Sequence, residues 1–143
     1  MTKKEVKRFL NCAIYAKREI ERLERKIIRL KAVRERITHC YSGVIGGGSY
    51  DRITDTTAEI IELEERQRTA IRKYCQQYHN IEQAISSIES IDMRLTEILR
   101  LRYLEGERWE QIACDAKISH GVPLNIRWVY RLHNRAIKIL ADT

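Results

Sequence analysis

Proline occurs once in the 143 residues, phenylalanine once, and glycine six times, with four of the glycines at positions 43, 46, 47 and 48. So few helix breakers, together with only 7% aromatic residues, argue against a sheet protein and for long helices. Cysteine is present but scattered, at 12, 40, 75 and 114, with no C-x-x-C pair and no histidine at a ligand spacing. That excludes the usual zinc and disulfide frameworks, and no metal or cofactor is expected. No window approaches the roughly 18 apolar residues a membrane span requires, and the leading MTKKEVKRF has no apolar signal core. The expectation is a cytoplasmic protein with reduced thiols and no membrane partner. Histidines 39, 79, 120 and 133 stand apart from any recognisable nucleophile, and no pair of acids stands out from the solvated charges, so an enzyme is not expected.

What is abundant is charge. One residue in three is charged, and the net charge of +7 favours a polyanionic partner, because basic side chains gain by displacing counterions condensed on phosphate. The charge is unevenly spread: 13 basic against 5 acidic residues over 1–40, 6 against 10 over 41–98, and 8 against 5 over 99–143. These give +8, −4 and +3.

Thr2 and Glu5 form a capping-box start. Apolar residues then recur at Val6, Phe9, Ala13, Ala16, Ile20, Leu23, Ile27, Leu30 and Ile37, in steps of three and four interrupted only by Arg34. This is a coiled-coil-like seam on one helix reaching about His39, and a helix that long needs a partner helix to cover it. The glycine cluster in CYSGVIGGGSYD ends it. No strand precedes that cluster and no Lys-Ser/Thr follows, so the stretch reads as a connector over 42–50 and not as a phosphate-binding loop. A second helix follows to Glu89, with its seam at Ile53, Ile60, Leu63, Ala70, Tyr74, Tyr78, Ile81, Ile85 and Ile88, and the shift of rows before Tyr78 resembles an inserted stutter. In an antiparallel hairpin, Glu59, Glu62, Glu64 and Glu65 face Arg25, Lys26, Arg29, Lys31, Arg34 and Arg36. That pairing explains much of the basic first helix as a solvated, partly neutralised flank. The alternative is that its outer face, with Lys3, Lys4, Lys7 and Arg8, follows a DNA backbone.

The expected fold is therefore all-α: a long antiparallel coiled-coil-like hairpin over 1–89, then a smaller helical unit over 90–143. In that unit Ser90 and Asp92 can cap a helix whose face carries Ile91, Leu95, Ile98 and Leu99, and Gly106 can end it. Trp109, Ile112, Ala113 and Ala116 mark a short helix. The last helix, about 125–141, has Val129, Leu132, Ala136 and Ile139 on one face, with Arg127, Arg131, Arg135 and Lys138 beside it. An apolar stripe that docks the helix and a basic face left free suit entry into the major groove, where arginine reads guanine bidentately and other cations meet phosphate. Taken alone, the same pattern also describes an ordinary surface helix.

Two stretches combine into one pattern: R-Y-x-x-G followed by W-x-x-I-A, at Arg102, Tyr103, Gly106, Trp109, Ile112 and Ala113, and later V-Y-R-x-H-x-R-A, at Val129, Tyr130, Arg131, His133, Arg135 and Ala136. The pattern resembles the promoter-recognising, region-4-like helix-turn-helix module of sigma factors, as carried by phage and prophage late-gene regulators of the ArpU-like kind. DRITDTTAEIIEL at 51–63 is similar to the start of the second helix in those proteins. The resemblance implies sequence-specific binding of double-stranded DNA and transcriptional regulation. It places Asn125, Arg127, Trp128, Tyr130, Arg131, Asn134, Arg135 and Lys138 on the DNA-facing helix; the leading expectation is that the long helices form a homodimer or contact RNA polymerase.

Two departures stand out. Arg108 replaces the small hydroxyl residue that usually caps the Trp helix. Lys117–Leu124, KISHGVPL, supplies eight residues where a compact turn has about three or four. Two conformations are open for that stretch: an insertion after which Asn125 caps the last helix, or a helical turn at Ser119 broken at Pro123. The first is preferred, because it sets Arg127 and Arg131 in the first two turns. The competing functions are a helical adaptor that binds polymerase or another regulator without reading DNA, and a phage DNA-packaging subunit.

Overall fold

A computed structural model describes residues 1–40, 47–115, 118 and 120–143, and among these every regular element is helical. Helix α1 spans Lys3–Cys40 and α2 spans Gly47–Ser86. α3, Met93–Leu99, runs on into a wider π-helical segment, Arg100–Glu105. α4 is Trp109–Cys114 and α5 is Ile126–Asp142. No helix among the described residues is long and apolar enough to cross a membrane.

α1 starts at the capping box: the Glu5 carboxylate accepts the Thr2 amide N–H at 2.6 Å, and Thr2 Oγ1 accepts the Glu5 N–H at 3.3 Å. The expected seam is the covered face of the helix. Val6, Ala13, Leu23 and Ile27 are buried, and Phe9, Ala16, Ile20, Leu30, Arg34 and Ile37 are half-buried. Leu23 and Ile27 share a cluster with Ile60 and Leu63 of α2, and Lys31 Nζ meets Glu64 at 3.0 Å. Nearer the start of α1, Val6, Leu10 and Ala13 pack with Ile81, Ile85 and Ile88. Early residues of one helix meet late residues of the other, so the hairpin is antiparallel.

The α2 seam departs from expectation at one point. Tyr78 is 40% exposed, and Gln77 takes the covered position between Tyr74 and Ile81. The rows then step 74, 77, 81 and 85, which moves the pair of four-residue steps of the expected stutter from 70/74/78 to 77/81/85 and places an amide in the seam. Its Oε1 is buried with no hydrogen-bond partner among the described residues. At the other end of α2, Gly47 and Gly48 belong to the helix, which shortens the expected connector over 42–50; residues 42–46 of it lie outside the described residues. Extending a formed helix over two glycines costs far less than nucleating one, so the element runs back into the glycine cluster.

Packing divides the chain into two compact units, residues 1–15 with 74–143, and residues 16–73. Packing is thus continuous across the boundary expected at 89/90. Arg100 is one reason: it binds Glu82 at 2.8 Å, Glu97 at 3.2 Å and Glu89 at 3.4 Å, and its Nη2 donates to Ser86 Oγ at 3.3 Å. These contacts raise the affinity of the guanidinium for its proton and tie the end of α2 to α3. The apolar reason is one shared core, in which Ile85 and Ile88 join Leu95, Ile98 and Leu99 from α3 and Val129, Ala136 and Ile137 from α5. Asp92 opens α3, accepting the Arg94 N–H at 2.9 Å, whereas Ile91 lies exposed before the helix and not on its buried face.

Candidate nucleic-acid interface

The helix that carries the predicted site residues is set by its own first residue. Asn125 is extended, and its Oδ1 accepts the Arg127 N–H at 2.9 Å, so it is the N-cap of α5. Asn125 thus caps α5 as the insertion reading of KISHGVPL requires; Ile118 is helical, and the turn expected at Ser119 lies outside the described residues, as does Lys117. Ile118 is buried and the Leu124 N–H donates to the Ala113 carbonyl at 2.8 Å, so both flanks of the insertion return to the core. Between them the chain reverses through His120 and Gly121, at φ 51° and 92°. The exposed His120 side chain stands in this turn.

At about 100° per residue, Tyr130, Asn134, Arg127, Lys138, Arg131, Arg135 and Trp128 follow one another around roughly 160° of α5. All seven are exposed, as is Asn125. The opposite arc is covered: Val129, Leu132, His133, Ala136, Ile137 and Leu140 are buried. The structure therefore brings the predicted residues together on one solvent face. None of Arg127, Arg131, Arg135 and Lys138 takes part in an ion pair among the described residues. Two members of the face differ from the rest. The Tyr130 ring packs edge-on against Trp109 at 4.9 Å, so only its outer edge is free, and Trp128 stands 43% exposed on the opposite border.

Several letters of the pattern prove to be scaffold. His133 is buried against Trp109 at a ring distance of 4.9 Å, and its Nε2 shares a 2.8 Å hydrogen bond with the Tyr103 hydroxyl. Burial, with the nearby Lys7 and Arg102 charges adding to it, pushes the imidazole down to about 4, while burial pushes the Tyr103 phenol up to about 12. Both are neutral at pH 7, and together they are a polar tie between the π-helical segment and α5. Arg102 lies over the Trp109 ring at 4.5 Å and donates to the Glu107 carbonyl at 2.9 Å. Gly106 turns the chain between them in the left-handed region at φ 77°. The sequence reading missed this cluster as a unit. One signal was present: position 133 is four residues after Val129 and three before Ala136, which places it on the apolar stripe.

The missing hydroxyl cap of α4 is replaced by its third residue. Gln111 Oε1 accepts the Arg108 backbone N–H at 2.8 Å, and an arginine side chain could not have accepted one. Ile112 and Ala113 then seat this short helix on the core below α5. From Asp115 to Asn125 the connection between α4 and α5 is long for a helix-turn-helix. Among the described residues no group of three or more His, Cys, Asp or Glu is placed to hold a metal ion. No family model, no curated protein and no solved structure matches the chain.

Proposed function

We propose that this protein is a cytoplasmic, sequence-specific double-stranded DNA-binding regulator of transcription, with α5 as the helix that enters the major groove. The observation that carries the proposal is the exposed arc of α5. It holds four cations that take part in no ion pair among the described residues, with Asn134 among them, on a helix whose opposite side is locked into the core. Arg127 and Arg131, in the first two turns, reach base edges; Arg135 and Lys138, farther along, meet phosphate. The likeness to phage and prophage late-gene regulators points the same way and makes RNA polymerase the natural second partner. The expected result is that Arg127→Ala with Arg131→Ala weakens binding to the cognate promoter fragment by about 10- to 100-fold, and makes the affinity fall less steeply with salt. An unchanged affinity and an unchanged salt slope would remove α5 from the groove.

The long helices serve as the dimerisation element in this reading. Ile28 and Ile61, each 59% exposed on the distal hairpin, are the surface a second copy would cover. Sedimentation equilibrium of Ile28→Lys with Ile61→Lys should then return a monomer where the parent is a dimer; a monomeric parent would dismiss this element. The adaptor reading is favoured by a different observation, the exposed aromatic ring of Trp128 beside the long α4–α5 connection. It predicts capture of polymerase, lost in Trp128→Ala, with no duplex binding at low salt.

A further inference from the structure

The basic residues of α1 differ in what lies beside them. On the distal part Lys31 pairs with Glu64, Arg22 with Glu19 at 2.7 Å, and Arg34 adds to the field that holds the Glu64 carboxyl below its usual range. Of the six cations expected to face the acids of α2, Lys31 is the one that pairs across the hairpin among the described residues, while Arg25, Lys26, Arg29 and Arg36 are exposed. What sets the first two turns apart is their place beside α5. Lys3, Lys4, Lys7 and Arg8 are all exposed, and none takes part in an ion pair among the described residues. The acid closest in sequence, Glu5, is occupied by the Thr2 amide.

These turns belong to the same compact unit as α5 and lie against it. The Met1 ammonium approaches the Ala141 carbonyl at 3.4 Å. Met1, Val6 and Phe9 line an apolar cavity of about 160 Å³ together with Leu140 and Thr143. The Lys7 charge is near enough to the His133 ring to oppose its protonation. Lys3 and Lys7, one turn apart, border the row that continues through Leu10 and Ile14 into the core. Lys4 and Arg8 stand one step farther out. On α5, His133 adjoins the Tyr130 and Asn134 edge of the exposed arc, so the Lys7 side of α1 continues the basic surface past that edge.

From this continuity we infer that the first two turns of α1 are a second DNA-binding element, whose Lys3, Lys4, Lys7 and Arg8 engage backbone phosphates flanking the groove that α5 occupies. The inference rests on the reading of α5 as the groove-entering helix and adds a sequence-independent contact to it. Flexible, exposed ammonium groups suit phosphate, which demands charge more than fixed geometry, whereas base edges demand the planar fork of arginine. Each phosphate neutralised contributes about 0.9 to the steepness with which log affinity falls against log salt. Four such residues therefore leave a measurable signature even where no base is read.

The experiment uses the full chain and two short duplexes, the cognate promoter fragment and a scrambled one, titrated by fluorescence anisotropy across about 50 to 200 mM salt. Replacing all four residues (Lys3→Gln, Lys4→Gln, Lys7→Gln, Arg8→Gln) should lower the salt slope by about 2 to 4. It should weaken both duplexes by the same factor and leave the melting temperature in place. Lys3→Arg, Lys4→Arg and Lys7→Arg together should keep the parental slope, separating a charge role from a folding one. An unchanged slope in the Gln variant, while Arg127→Ala with Arg131→Ala still weakens binding, overturns the inference and spares the α5 reading. A parent chain that binds neither duplex at the lowest salt overturns that reading, and the inference falls with it. Parent binding to vesicles rich in phosphatidylglycerol, abolished in the Gln variant whose DNA slope is unchanged, would assign these lysines to a lipid surface instead.

Discussion

Tyr103 and His133 show how a polar pair can serve as core. Their 2.8 Å hydrogen bond joins two side chains that are otherwise surrounded by Trp109 and aliphatic residues. Tyr103→Phe leaves the His133 Nε2 without its partner in a buried site, and thermal or urea unfolding should report a loss of about 1 to 2 kcal/mol. The imidazole also sets a pH dependence. Its folded value, about 4, lies below the ordinary value of 6.5, so the unfolded chain takes up the proton first. The stability this group contributes is complete above 6.5 and is lost as pH falls toward 4, on the order of 3 kcal/mol across the window. Between about pH 5 and 6.5 few carboxylates titrate, so the decline there belongs to histidine. His133→Gln, which keeps a hydrogen-bonding side chain, should flatten that part of the profile. A profile that keeps its slope in the variant would place the proton elsewhere.

At the scale of the element, the two long helices carry their partner information in the seam, and the seam has one flaw. Gln77 occupies a covered row and leaves its carbonyl oxygen unsatisfied. An unmade hydrogen bond at a buried acceptor costs about 1 to 3 kcal/mol, and a leucine of similar size has no such group. Gln77→Leu should therefore raise the unfolding midpoint by an amount equivalent to about 1 kcal/mol, with no change in helical content by circular dichroism. A lower midpoint would mean that the amide has a partner that matters. α5 is the opposite kind of element: its buried arc packs in the core, and on its exposed arc Arg127, Arg131, Arg135 and Lys138 take part in no ion pair among the described residues. This contrast is what makes α5, and not the more basic α1, the primary candidate for the groove.

At the scale of the whole chain, the two compact units are unequal. Residues 16–73 bury Leu23, Ile27, Ile60 and Leu63 as their described cluster, with Leu30 and Ala70 against it. Residues 1–15 with 74–143 share a far larger core drawn from all five helices. Local opening follows the amount of apolar surface held in common, so amide hydrogen exchange in the monomeric range should be fastest in the α1 and α2 segments of 16–73 and slowest around Ile85, Leu95, Ile98 and Ala136. Uniform protection along α1 would contradict this division.

The helices were legible because their signal is local and periodic. The three-and-four spacing from Val6 to Ile37, the Thr2–Glu5 box, the Asp92 and Asn125 caps and the stop at Gly106 need only a few neighbouring residues to act, and each occurs where the spacing places it. The exposed face of α5 was legible for the same reason, since one helical period separates the apolar stripe from the arginines. Other features depended on what each residue meets across the fold. Helix rows alone could not choose Gln77 over Tyr78, because the choice lies in how α1 covers α2. Nor could they show that Arg100 is held by Glu82 of α2 and by Glu89 just beyond it, while Arg127 and Arg131 have no ion-pair partner among the described residues. A charge in a sequence has a sign but no address. Packing supplies the address, by setting some cations beside acids and leaving others, on α5 and the first turns of α1, with no ion-pair partner among the described residues.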